Sequence, residues 1–199
     1  MKTQLEQAIE LKYPPLAIFF SQELPEDAQL PSPVCAMLLV AQAAKGKAVA
    51  MSHDSCSCSG AASGFGLEQL NLNSFPGGTE CFLRFLTVGN KYTEQGRAVI
   101  TQLKEHSAPK IFLEEFSEGE GFLKTTELAQ EWVNSLPTPK PEGPYVIIKP
   151  LKDVKPYETP KVVTLLVNAD QLSALVVLAN YARHGSDNVK IPFGAGCNC

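Results

Sequence analysis

The stretch "LAIFFSQELPEDAQLPSPVCAMLLVAQAAKGKAVAM", residues 16–51, decides the fold. It opens on a short continuous apolar run, "LAIFF", rich in β-formers, which reads as a buried strand. "QELPEDAQLPSP" follows, interrupted by prolines and without periodicity, and reads as a loop. "VCAMLLVAQAA", residues 34–44, has the composition and length of a helix, and Gly46 ends it. "KAVAM", residues 47–51, fits a second strand. Strand, helix and strand in that order normally make a parallel pair with a right-handed crossover. The expected class is therefore α/β, with a mixed, partly parallel sheet flanked by helices.

On the N-terminal side, residues 2–12 read as an amphipathic helix stopped by Pro14 and Pro15. On the other side, residues 60–69 suit a short helix weakened by its glycines. "TECFLRFLTV" and "TEQGRAVITQLKEH" read as two more helices, the second capped by Thr93. "EFSEGEGF" reads as an acidic surface turn, and "EGEGFLKTTELAQEWVNSL" leads into a further helix. The proline-rich connector at 137–144 is the candidate internal boundary of what otherwise reads as one domain over 1–199. "YVIIKP" and "VVTLLV" are two strong strand runs. Asn168 and Gln171 open the last helix as a capping box, and Gly185 closes it. "NVKIPF" alternates as an edge strand would.

Composition narrows the function. The chain has 199 residues, enough to bury a core without disulfide staples. A net charge of −4 argues against a nucleic-acid surface or a polybasic membrane patch. The richest apolar stretch, residues 162–182, is broken by Asn168, Asp170, Gln171 and Asn180, so no bilayer span is expected. The N-terminus lacks a secretory h-region. A cytoplasmic protein follows, with a small molecule or redox protein as the expected partner. In that reducing compartment the six cysteines are fillers, metal ligands or reactive thiols.

"SHDSCSCSGAASGFG", residues 52–66, and the terminal "FGAGCNC" hold four of them. Cys56 and Cys58 follow the strand ending near Met51. Cys197 and Cys199 follow the run ending near Phe193, and Cys35 opens a helix after the first strand. If those three strands run parallel, five thiols converge on the carboxyl edge of the sheet, where α/β proteins gather ligands. Thiolates from separate loops are a normal ligand set for zinc or an iron–sulfur cluster. They are equally the nucleophiles of thiol redox chemistry, with Cys56 or Cys58 attacking. Gly60, Gly64 and Gly66, with His53 nearby, offer a third expectation: a glycine-rich loop at 60–66 whose amides bind an anion or small molecule. "SGAASGFG" does not match a dinucleotide fingerprint or a P-loop. Cys81, beside Phe82 and Phe85 on an apolar helix face, reads as a core filler. His106 and His184 read as last-turn cations.

Several motifs together resemble the uncharacterised ArCR family of archaea and anaerobic bacteria. They are "YPPLAIFF", Cys35 with "AAKGK", Cys56 with "SGAASGFG", and "ALVVLANYARHG" before "PFGAGC". The resemblance implies matching cysteines at Cys35, Cys56 and Cys197, and does not require Cys58, Cys81 or Cys199. It also implies that members usually continue past the final motif, so that a longer chain is expected. The family carries no established activity. The leading expectation is a metal or iron–sulfur centre on Cys35, Cys56 and Cys197, with Cys58 or Cys199 as a fourth ligand.

Overall fold

The run "YVIIKP" takes the centre of the sheet. In the computed structural model, which describes residues 3–68, 71–136, 139–185 and 187–191, it forms β3 (Tyr145–Pro150). Five of its six residues are buried, so its near-continuous apolar character comes from covering on both faces. β1 (Leu16–Ser21) and β2 (Val49–Met51) flank it, and β4 (Val162–Thr164) lies outside β1, giving the order β2-β3-β1-β4.

Every ladder between these strands is antiparallel. This corrects the expected partly parallel sheet, while the mixture of strands and helices stands. The strand–helix–strand segment does form, with α2 (Ala36–Ala44) between β1 and β2. Both strands run antiparallel to β3, so they point the same way, but β3 lies between them. The crossover spans an intervening strand because an apolar strand that is buried over five of its six residues, arriving from far along the chain, takes the central place. Among the described residues, parallel pairing is confined to two isolated bridges, Gln29 with Val49 of β2 and Val34 with Cys56.

The register sorts the strand residues by face. Ile18, Ile148 and Val49 stand in one row, and Phe20, Val146 and Met51 in another. With Leu16 they join the core beneath α2, where Leu39 and Ala43 are fully buried. The alternate row of Phe19, Ile147 and Ala50 belongs to a second cluster with Ala17 and Ala28 on the other face. Each fully buried large side chain contributes roughly 1.5–3 kcal/mol.

The described residues gather into two compact units. One comprises those of Met1–Glu68 and Pro139–Ile191 and holds the sheet, α1 (Gln4–Ala8), α2, α3 (Ser59–Gly64) and α8 (Ala169–Tyr181). The other, from Gln69–Thr138, is helical: α4 (Gly78–Phe85), α5 (Glu94–Glu105), α6 (Lys110–Glu118) and α7 (Thr126–Ser135). Its core stacks Phe75, Phe85, Phe112 and Phe116 around Cys81 and Val99. Gly77 has a left-handed φ of 79° and lies against Cys81 Sγ, where a Cβ would collide.

Other expectations resolve locally. Thr93 caps α5 and Asn168 with Gln171 forms the capping box of α8. α8 ends at Tyr181, before Gly185. α6 replaces part of the segment read as an acidic turn. "VVTLLV" yields only three strand residues, at the sheet edge. Residues 188–191 form no strand, and the rest of "NVKIPF" lies outside the described residues.

Candidate functional site

Because β1 and β2 point the same way, their carboxyl ends share one edge of the sheet. The antiparallel neighbour between them does not disturb this. Residue 34 returns to that edge and pairs with the segment after β2. The Val34 amide donates to the Ser55 carbonyl at 3.1 Å, and the Ser57 amide donates to the Val34 carbonyl at 3.1 Å. This isolated parallel bridge brings the segment carrying Cys35 alongside the one carrying Cys56 and Cys58.

Each thiol then has a distinct setting. Cys35 is the N-cap residue of α2, is exposed, and makes no side-chain capping bond. Cys56 is half-buried, and its Sγ donates to the Cys58 carbonyl at 3.3 Å. Burial pushes the Cys56 thiol pKa up; the hydrogen bond to the Cys58 carbonyl opposes this, and the charges of Cys58, Cys35 and Glu68 add to the rise. Cys58 caps α3: its Sγ accepts the Ala61 amide at 3.4 Å. Both Cys56 and Cys58 also pack against the core beneath α2. Cys81 lies apart, in the helical unit's core, where burial raises its pKa.

His53 begins the short turn, His53–Ser55, between β2 and Cys56. Its Nδ1 is 2.9 Å from Asp54 Oδ1 and its Nε2 3.2 Å from Glu68 Oε2. The two carboxylates, Asp54 first, raise its pKa above the usual imidazole value. Glu68 thus pairs with His53; no spacing motif in the sequence signals that role. A cleft of about 330 Å³ opens beside His53, bordered by Gln22, Leu67 and the 141–144 part of the proline-rich connector.

The glycine-rich stretch is a helix followed by a turn. The amides of Ala62, Phe65, Gly66 and Leu67 donate to carbonyls of the same segment. Gly60 and Gly64 lie on α3, and Gly66 has a φ of 73°, with the Pro139 carbonyl where a Cβ would stand. Cys197 and Cys199 lie outside the described residues. Among the described residues, no group of three or more His, Cys, Asp or Glu side chains is placed to hold a metal ion. Among them, too, no helix is long and apolar enough to cross a membrane.

The fold and this corner define a class: an antiparallel-sheet α/β unit with Cys35, Cys56 and Cys58 on adjoining segments beyond two like-directed strands. The profile of the uncharacterised ArCR family matches residues 4–199, and the chain belongs to that family. No curated protein and no solved structure matches it.

Proposed function

We propose that the protein works through the thiol corner of Cys35, Cys56 and Cys58, by thiol–disulfide exchange with a disulfide-bearing partner in a reducing compartment such as the cytosol. The observation that supports this is the Val34–Cys56 bridge, which runs the segment bearing exposed Cys35 alongside the segment bearing half-buried Cys56. Exposure makes Cys35 the attacking thiol, and the raised Cys56 pKa makes Cys56 the slower, resolving one. The Cys35 thiolate attacks one sulfur of the partner disulfide and releases the other as a thiolate. The Cys56 thiolate then attacks Cys35 Sγ in the mixed disulfide and releases the second partner thiolate. Two electrons pass to the partner, and a Cys35–Cys56 disulfide remains.

The test is stoichiometric treatment with a small disulfide, followed by peptide mass mapping. A Cys35–Cys56 bridge is expected, with Cys56→Ser trapping the mixed disulfide on Cys35. Equal, slow labelling of all thiols and no internal bridge would refute the proposal. In timed alkylation of the reduced protein, Cys35 should react first and Cys81 last, with Cys56 between them.

Zinc or iron–sulfur coordination by Cys35, Cys56 and Cys197 is a second proposal, resting on the ligand chemistry of thiolates alone, because among the described residues no three ligating side chains are grouped to hold a metal ion. Metal and acid-labile sulfide assays of anaerobically prepared protein separate it from the first. A stoichiometric metal lost in both Cys35→Ser and Cys56→Ser would favour it.

A further inference from the structure

The turn before Cys56 carries a charge arrangement that thiol exchange does not use. His53 lies between two carboxylates, with Nδ1 2.9 Å from Asp54 Oδ1 and Nε2 3.2 Å from Glu68 Oε2. A neutral imidazole has one N–H, so its other nitrogen would turn a lone pair toward a carboxylate. Only the imidazolium presents an N–H to both. The arrangement is therefore complete in one protonation state alone.

The two carboxylates differ in reach. Asp54 is the next residue and its side chain is 95% exposed, so that contact is local. Glu68 comes after α3, with its side chain 28% exposed, and its pairing with His53 closes the segment that carries Cys56, Cys58 and α3. The near end of that segment is anchored: the Ser52 amide donates to Ser55 Oγ at 2.8 Å, and Ser55 is buried. In its middle, Ala61 and Ala62 are buried and seat α3. The far end turns at Gly66, with a φ of 73°, immediately before Leu67 and Glu68.

We infer that His53 is a proton-operated clasp on the thiol segment, closed on Glu68 as the imidazolium and weakened when the ring loses its proton, so that half-buried Cys56 becomes more accessible. The consequence for Cys56 rests on the thiol-exchange reading of the corner; the clasp itself does not. The groups that face the ring are Asp54 from its own turn, Glu68 from beyond α3 and, along the neighbouring cleft, Gln22 and Glu142. Glu142 Oε2 is itself 2.8 Å from Lys161 Nζ. Asp54 first, then Glu68, raise the His53 pKa. A raised folded value means that closure is complete below the unfolded pKa, about 6.5, and is lost as pH rises through the higher folded value. Exposed ion pairs are weak, so the expected change in accessibility is roughly two- to fivefold.

Two measurements on the reduced full chain test the clasp. Proton NMR titration of the His53 ring should give a pKa above about 6.5 that falls in Glu68→Gln. Alkylation of Cys56, with its rate divided by the thiolate fraction from its own titration, should rise roughly two- to fivefold as pH passes the His53 pKa. Glu68→Gln should hold that corrected rate at its high-pH value throughout. His53→Gln, at an exposed position, should do the same and decides the matter if Glu68→Gln fails to fold. Asp54→Asn should move the step to lower pH and leave it in place, which a general loosening of the segment would not do. A His53 pKa at or below 6.5, or a corrected rate equal in wild type and the Glu68 and His53 variants at every pH, would overturn the clasp. If both titrations behave as expected and small disulfides still give no Cys35–Cys56 bridge, the exchange reading falls and the clasp stands.

Discussion

Lys149 is the most constrained ionic residue of the sheet unit. Its side chain is 0% exposed, and its Nζ donates to Glu158 Oε1 at 2.8 Å and to Asp27 Oδ2 at 3.2 Å. Glu158 is itself nearly buried, so removing the lysine alone leaves a carboxylate without compensation. Lys149→Met is expected to cost about 3–5 kcal/mol, read from urea unfolding, and Lys149→Met with Glu158→Gln should recover part of that loss. Asp27 also accepts from Lys155 at 3.0 Å. That bond first, then Lys149, holds the Asp27 pKa below the usual carboxylate value. A depressed folded value means the stabilisation is complete above the unfolded pKa, about 4, and is lost as pH falls through the lower folded value. The stability gap between wild type and Asp27→Asn should therefore be widest above about pH 4 and close below it.

Caps decide the limits of the helices. Asn168 Oδ1 accepts the Gln171 amide at 2.9 Å, and Gln171 Oε1 accepts the Asn168 amide at 2.9 Å. Gln171 also donates from Nε2 to the Ile9 carbonyl at 2.8 Å, tying α8 to the end of α1. Asn168→Ala should cost about 1 kcal/mol, the usual value of an N-cap, and Gln171→Ala should cost more because it also cuts the tie to α1; chemical denaturation midpoints measure both. These caps were legible because they depend on residues three apart. Helix α6 was not, because its acidic residues suggested a solvated turn. Phe112 and Phe116, one turn apart and both in the aromatic core, were the available signal.

At the scale of the molecule, the helical unit is an insertion between two parts of the sheet unit. The parts it separates meet again: the Pro139 carbonyl lies against Gly66. Replacing residues 69–138 with a short Gly/Ser linker should therefore leave the sheet unit folded. Circular dichroism and the alkylation order of Cys35, Cys56 and Cys58 would check this, and loss of cooperative unfolding would count against it. With the insertion, α2, β2 and α3 between them, β1 and β3 lie more than a hundred residues apart, so the central ladder closes a long loop before its contacts form.

The sequence by itself determined the four strands of the sheet, most of the helices, the caps of α5 and α8, and the family, while the further strand it suggested from residue 188 does not form over residues 188–191. The features it determined follow from local periodicity, from side chains that cap amides a few residues away, and from motifs read in order along the chain. Cys35 and Cys56 could also be placed on one edge, because β1 and β2 do share a direction. Only the tertiary structure decided that β3 stands between those strands and makes every ladder antiparallel. Strand order depends on which apolar run, however distant, best fills a site buried on both faces, and local pattern carries no record of that competition.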